Sequence, residues 1–318
     1  MKFTVKSAPD RWSHIFDRIT GHILYKGLRL VFLVAVIVYL FDQIAEIGWS
    51  NLWGALPRMV WFYVLGIAIY FILPLSELLI YRVIWGVGLL RDFPVFARKR
   101  VYNQALLDYS GEAYFYLWAK RHPGLTDQKI FSAVKDSNIL SALVSNTLTV
   151  VFLALFLITG QLKIFLSSDP GSTIYFALAG LVGVVMVPLV IHFRRQIIGL
   201  EARTLLTVLG IHIIRRLTSM AMEVAQWAVV FPQVTLGTWL TFLTAQLLLT
   251  RIPFLPNKEL MFLGLSLALA GLVNAPTAAV DGMFLAAGAL TQGLNLVIFI
   301  LTSFTSSLPP KAQFRSSG

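Results

Sequence analysis

Long apolar runs alternate along this chain with short polar linkers. Runs at about 28–45, 59–85, 138–160, 173–193, 205–231 and 279–303 reach or exceed the roughly 18 residues at which an apolar segment reads as a membrane-crossing helix. Two stretches break the pattern. Residues 102–119 have about membrane length, yet their middle reads Leu106-Leu107-Asp108-Tyr109-Ser110-Gly111-Glu112. Further on, 236–250 and 259–273 are short apolar pieces separated by Arg251-Ile252-Pro253-Phe254-Leu255-Pro256-Asn257-Lys258. Two prolines so close together stop a helix. Ahead of the first run, residues 1–27 are polar and basic. Trp12, Ile15, Phe16, Ile19 and Ile23 recur there at helical spacing, which predicts an amphipathic helix lying on the membrane surface.

Charge decides how the runs thread the bilayer. Short loops rich in Lys and Arg stay cytoplasmic. Basic residues precede 102–119 (Arg91 and Arg98-Lys99-Arg100) and follow it (Lys120, Arg121, Lys129, Lys135). Both groups cannot be cytoplasmic if 102–119 crosses once. A re-entrant hairpin of two half-helices of about eight residues, each reaching only ~12 Å, removes the conflict and puts the turn at Ser110-Gly111. The resulting topology assigns 20 of the 26 Lys and Arg residues to cytoplasmic segments and only Arg58 and Lys163 to external loops. It puts both termini in the cytoplasm.

Composition narrows the class further. The chain is 57% hydrophobic and 13% charged, with a mean hydropathy of +0.76. A soluble domain is nearer half apolar and a quarter charged. The expected fold class is therefore an all-α integral membrane protein. The net charge of +11 sits between apolar runs and predicts contact with a membrane surface, not with nucleic acid. Absence of cysteine excludes disulfides, thiolate metal sites and a cysteine nucleophile. The five histidines form no metal-ligand pattern, and no P-loop, Gly-x-Ser-x-Gly or zincin motif occurs. No cofactor, metal or catalytic motif is expected, and the chain is not expected to be an enzyme. No polar stretch is long enough to fold as a separate catalytic domain.

The chain also halves. A first membrane repeat, 28–160 with its hairpin at 102–119, is followed by a second at 161–303 with its broken segment at 236–273, then a tail at 304–318. Each half reads span, span, broken segment, span, in opposite orientation. Inverted repeats with discontinuous helices meeting near the midplane are a signature of transporters. Charge parity leaves it open whether 236–250 and 259–273 form a re-entrant pair or two short spans.

Two motifs resemble those of a known family. Tyr109-Ser110-Gly111-Glu112, followed by apolar residues and Lys120-Arg121, is similar to the Gly-Glu segment of the lysylphosphatidylglycerol synthase transmembrane-region family, the flippase-like domain of multiple peptide resistance factor proteins. Pro256-Asn257-Lys258-Glu259-Leu260, followed by 263–272 and Ala275-Pro276, resembles that family's second motif. The usual glycines before the second motif are replaced by Pro253, Pro256 and Asn257, and the first motif lacks a Pro-Gly-Arg lead-in. The resemblance spans about 28–303. It implies re-entrant helices, a multi-pass protein of the bacterial inner membrane, and movement of a phospholipid or lipid-linked substrate between leaflets. The soluble aminoacyl-transferase domain of bifunctional relatives has no counterpart in this sequence, so lysyl transfer is not expected.

Candidate substrate-binding residues follow from charge at bilayer depth, which is costly and marks function by default. Glu112 would receive an amine or pair with a cation; its structural reading is an acid at a half-helix N-terminus. Asp108 lies one turn earlier. Arg251 and Lys258 flank the second break and suit a phosphodiester, with Glu259 as their counter-charge, although interfacial snorkelling also accounts for them. Arg216 and Glu223 share one face of the 205–231 helix. Arg215 points about 100° away, and both arginines are boundary residues if the span begins near Leu217. Glu77, near Pro74, is a further buried polar candidate. Two other functions fit the same sequence. One is a membrane-embedded enzyme modifying lipid headgroups, with Glu112 as base and Asp108 or Asp136 nearby. The other is a non-transporting component of a cell-envelope biosynthetic complex, either alone or as a homo-oligomer.

Overall fold

A computed structural model describes residue 38 and residues 56–86, 91–105, 109–122, 124–158, 184–185, 187–194, 196–250 and 277–305. The first predicted span apart from Val38, most of the span at 173–193, both tails and the break at 251–273 lie outside the described residues. Among the described residues the fold is all-helical, with seven principal helices. They are α1 (Val60–Trp85), α2 (Phe93–Ala105), α3 (Ser110–Ala119), α4 (Asp127–Ile158), α5 (Ala202–Val230), α6 (Leu236–Leu249) and α7 (Thr277–Thr305).

Four of them, α1, α4, α5 and α7, are long and apolar enough to cross a membrane. They correspond to the predicted spans at 59–85, 138–160, 205–231 and 279–303. Helix α4 begins eleven residues earlier than its apolar run, because Thr126 starts it with a hydroxyl accepting from Lys129 N–H and Asp127 sits favourably in its first turn. Helix α1 ends at Gly86, whose φ of 73° is the left-handed cap that glycine adopts most easily; its N–H closes on Arg82 O.

The short helices sit differently from the sequence-based expectation. The hairpin is built from α2 and α3, so it starts near residue 93 and not at 102. The basic run Arg98-Lys99-Arg100 therefore lies within a helix, where Arg98 and Lys99 are buried; it is not a cytoplasmic loop. The turn falls before Ser110. Tyr109 takes the left-handed conformation (φ 71°), while Gly111 is helical. Gly111 is needed for close approach instead: a methyl there would collide with Lys99 O and the Asn103 side chain.

Two hydrogen bonds stitch the tip. Ser110 Oγ donates to Tyr102 O (2.7 Å), and Asn103 Oδ1 accepts from Gly111 N–H (2.7 Å). Each satisfies a backbone group that a helix end leaves open. The pairings Phe96–Phe115, Lys99–Glu112 and Asn103–Gly111 run in opposite directions along the two helices, so α2 and α3 are antiparallel. Helix α6 is apolar on all sides and nine of its fourteen residues are buried. At 1.5 Å per residue it extends only ~21 Å, short of the ~30 Å hydrocarbon layer. It packs with α5 and α7 in a core that includes Trp227, Phe231, Trp239, Phe242 and Phe284. Trp227 and Trp239, although near the ends of their helices, are core residues.

Candidate functional site: a charged cluster under the helical hairpin

Helix α2 lies across α1. Phe93 meets Phe71, Phe96 meets Tyr81, Lys99 meets Glu77 and Arg100 meets Tyr70. Of the three basic side chains of α2, Arg98 and Lys99 are buried and Arg100 is partly so, and each finds a different solution.

Lys99 lies between two carboxylates. Its Nζ is 2.6 Å from Glu77 Oε1 on α1 and 3.3 Å from Glu112 Oε1 on α3, with 1% of the side chain exposed. The rings of Tyr81 and Phe115 flank the ammonium at 5.8 and 5.5 Å. They belong to an aromatic group in which Trp85 stacks on Phe115 and Phe115 on Trp118. A buried ammonium needs this degree of compensation, because removing it from water costs several kcal/mol, of order 20 in the idealised limit. Glu112 also occupies the first turn of α3, so pairing with a cation and favourable placement at a helix N-terminus both apply to it. One oxygen, Oε2, has no hydrogen-bond partner.

Arg100 answers a defect in α1. Pro74 lacks the N–H that would bond Tyr70 O four residues back, and Arg100 Nη1 donates to that carbonyl. The guanidinium sits 4.2 Å from the centre of the Tyr70 ring, and Tyr70 Oη donates to Asn295 of α7 (2.7 Å). Arg98 points the other way. It donates to Tyr102 Oη (3.0 Å), to Thr302 O (3.1 Å) and to Ser303 Oγ (3.3 Å), among the rings of Tyr102, Tyr114 and Phe299. It ties the hairpin to the last turns of α7, where a cation favours the helix C-terminus.

The cluster continues onto α5. Arg215 lies midway along that helix, donates Nη2 to Ser141 Oγ of α4 (3.0 Å) and interacts electrostatically with Glu77, Arg216 and Arg100. Glu223 interacts with Arg216 and Arg100. Helix α5 begins at Ala202, so Arg215 and Arg216 lie well inside the helix. Arg215 Nε, Arg216 Nε and Glu223 Oε2 are buried without a hydrogen-bond partner.

Of the predicted site residues, Glu77, Glu112, Arg216 and Glu223 fall in this cluster. Asp108, Arg251, Lys258 and Glu259 lie outside the described residues. Asp136 is fully buried but bound elsewhere, accepting from Gly199 N–H at 2.9 Å. Lys99, Arg100 and Tyr70 were missed, because a basic run beside an apolar one reads as a loop. A helix-start signal was present: Asp92-Phe93-Pro94, with the proline in the first turn. By contrast Lys120 and Asp127 form an ordinary exposed pair at 3.0 Å, whose hydrogen bond and charge hold the Lys120 amine above the usual lysine range.

Comparison with protein-family models, with curated proteins and with solved structures finds no match in any of the three. Fold and cluster define a class on their own terms: an all-helical membrane protein whose polar interior joins a short helical hairpin to three long helices.

Proposed function

We propose that this protein is a transporter that moves a phospholipid or lipid-linked headgroup between the leaflets of a membrane. The observation carrying this reading is the charged cluster of Glu77, Lys99, Glu112, Arg100, Arg215, Arg216 and Glu223 among apolar helices, with buried donors and acceptors left open. Structure alone would be better served by apolar packing, since a buried ion pair rarely stabilises more than a hydrophobic replacement. A charged headgroup crossing hydrocarbon needs groups that replace its hydration, and open polar groups at depth meet that need.

In this mechanism α2 and α3 form a re-entrant hairpin entered and left from the cytoplasmic side. The stretch 236–273, beginning with α6, is its inverted counterpart. The headgroup occupies the polar interior while its acyl chains stay in lipid. Asp108, Arg251, Lys258 and Glu259 belong to the same path. Movement is downhill or coupled to an ion gradient, because the sequence carries no P-loop. The resemblance of the Tyr109–Glu112 and Pro256–Leu260 motifs to the lysylphosphatidylglycerol synthase transmembrane-region family supports this assignment, together with a bacterial inner-membrane location and cytoplasmic termini.

Leaflet exchange of a labelled phospholipid in proteoliposomes tests the proposal. Wild type is expected to accelerate exchange over protein-free vesicles, and Glu112→Ala to reduce the acceleration by tenfold or more, on the order of the 1.4 kcal/mol lost with one charge-assisted contact. Equal rates for the two proteins would sink the role of Glu112. One observation favours a second reading: two carboxylates, Glu77 and Glu112, meet at a single ammonium, as acid–base chemistry on a headgroup would require. Mass spectrometry of lipids incubated with the protein separates the two, since only an enzyme changes their covalent structure.

A further inference from the structure

Helices α4 and α5 meet along a polar seam that two distances pin. Ser137 Oγ lies 3.4 Å from His212 Nε2, and Arg215 Nη2 donates to Ser141 Oγ at 3.0 Å. Ser137 and Ser141 are four residues apart and His212 and Arg215 three, so each pair occupies one face of its helix. The two helices therefore run side by side in the same direction. Near the end where both begin, Asp136 Oδ2 accepts from Gly199 N–H (2.9 Å) and Lys135 Nζ donates to Ile197 O (2.6 Å). The Lys135 side chain is 37% exposed, so the seam starts at the protein surface. Arg215 lies ~20 Å along α5 from its first residue, at 1.5 Å per residue.

The protein leaves this seam incompletely bonded. His212 is 3% exposed; its Nε2 faces Ser137, while Nδ1 on the same ring has no partner. Arg215 Nε, one turn further on, is also buried without a partner. Each imidazole nitrogen is a donor or an acceptor in either tautomer, and hydrocarbon satisfies neither it nor a guanidinium. Helices packed dry in lipid close such positions with small or apolar side chains. Here two serine hydroxyls stand beside the two open nitrogens, which together supply the two to four polar partners that an internal water needs. Apolar packing lies on another side of α4, where Leu140 joins Ile80 of α1 and Val208 of α5.

We infer that the seam between α4 and α5 is a water path leading from the face where both helices begin, past Ser137 and His212, to Arg215. Water completes the hydrogen bonds of His212 Nδ1 and Arg215 Nε and keeps the arginine solvated at depth. The inference goes beyond the transport reading and takes from it only the name of that face, the cytoplasmic one.

Single thiols in this cysteine-free chain test it in sealed vesicles of either orientation. The probe is Ag+, a thiol-reactive cation about the size of a water molecule that does not cross hydrocarbon. Thiols left unblocked are counted with a maleimide after denaturation. Only a solvated thiol ionises readily, so Ser137→Cys and Ser141→Cys should be blocked at least about tenfold faster than Leu140→Cys. The same contrast is expected with Ala142→Cys, which is exposed on the outward side of α4. His212→Phe fills the seam with an apolar ring and should slow blocking of Ser141→Cys severalfold.

Blocking of Ser141→Cys no faster than that of Leu140→Cys overturns the path, as does blocking from the outer side alone. A rate unchanged by His212→Phe overturns the route past His212. If the cysteine variants do not fold, radiolysis of the unmodified protein decides, because hydroxyl radicals then arise from bound water. His212 is expected to be oxidised faster than Phe242, which is 0% exposed in the core around α6. Oxidation of His212 no faster than that of Phe242 overturns the path equally. Leaflet exchange in the same vesicles keeps the two readings apart. Exchange without blocking of the seam removes only the water path, whereas blocking without exchange removes only transport.

Discussion

Pro74 and Arg100 form a complementary pair: the proline takes from α1 the donor for Tyr70 O, and the arginine, from the crossing helix, supplies one. An unsatisfied buried carbonyl costs ~1–3 kcal/mol, so Arg100→Met should destabilise the protein by about that much. Pro74→Ala restores the helix's own N–H and should make Arg100 less necessary. In a double-mutant cycle followed by thermal unfolding in detergent, the two substitutions are expected to couple by about 1 kcal/mol. Strict additivity would mean that Arg100 does not serve that carbonyl.

Lys99 should be the most sensitive position of the cluster. Lys99→Met strands two carboxylates beside aromatic rings, and breaking a buried pair in this way costs about 3–5 kcal/mol. Combining it with Glu77→Gln and Glu112→Gln removes the stranded charges and should recover most of that stability. The triple variant is expected to stay folded yet fail in leaflet exchange. A triple variant as unstable as Lys99→Met alone would argue that packing, not charge, sets the requirement.

Two glycines offer a matched comparison. A methyl at Gly111 would meet Asn103 Oδ1 at 2.7 Å and its Cγ at 2.8 Å besides colliding with Lys99 O, whereas one at Gly210 on α5 would meet nothing within 4 Å. Gly111→Ala should therefore cost ~1–3 kcal/mol through overpacking of the hairpin. Gly210→Ala should be neutral or stabilising by up to ~1 kcal/mol, because alanine is the better helix former. Unfolding midpoints of the two variants should move in opposite directions, or only the first should move.

Hydropathy made the long helices legible. The runs at 59–85, 138–160, 205–231 and 279–303 became α1, α4, α5 and α7 because only a helix satisfies its own backbone in hydrocarbon. A pair of short helices around Ser110 was also expected, from basic residues on both sides of Asp108 and Glu112, and an antiparallel pair, α2 and α3, is found there. Its position was not legible. Counting lysines and arginines treats each as a solvated loop charge. Lys99 is paired with Glu77 twenty-two residues away, and Arg100 donates to a carbonyl thirty residues away that a proline has left open. Such compensation depends on how α2 crosses α1, and no local pattern encodes it. Gly111 was misread for a similar reason. Its neighbours in sequence suggest a turn, but the Lys99 backbone is what requires a residue without a side chain.

The α2–α3 hairpin supports everything proposed for the site, and its relation to the membrane can be measured without removing any native cysteine. Arg91→Cys and Thr126→Cys place single, exposed thiols before and after it. In right-side-out and inverted vesicles, a membrane-impermeant maleimide is expected to label both from the same side, the cytoplasmic one. Labelling of the two from opposite sides would show that the segment crosses once, and the charged cluster around Lys99 would then have no re-entrant hairpin to carry it.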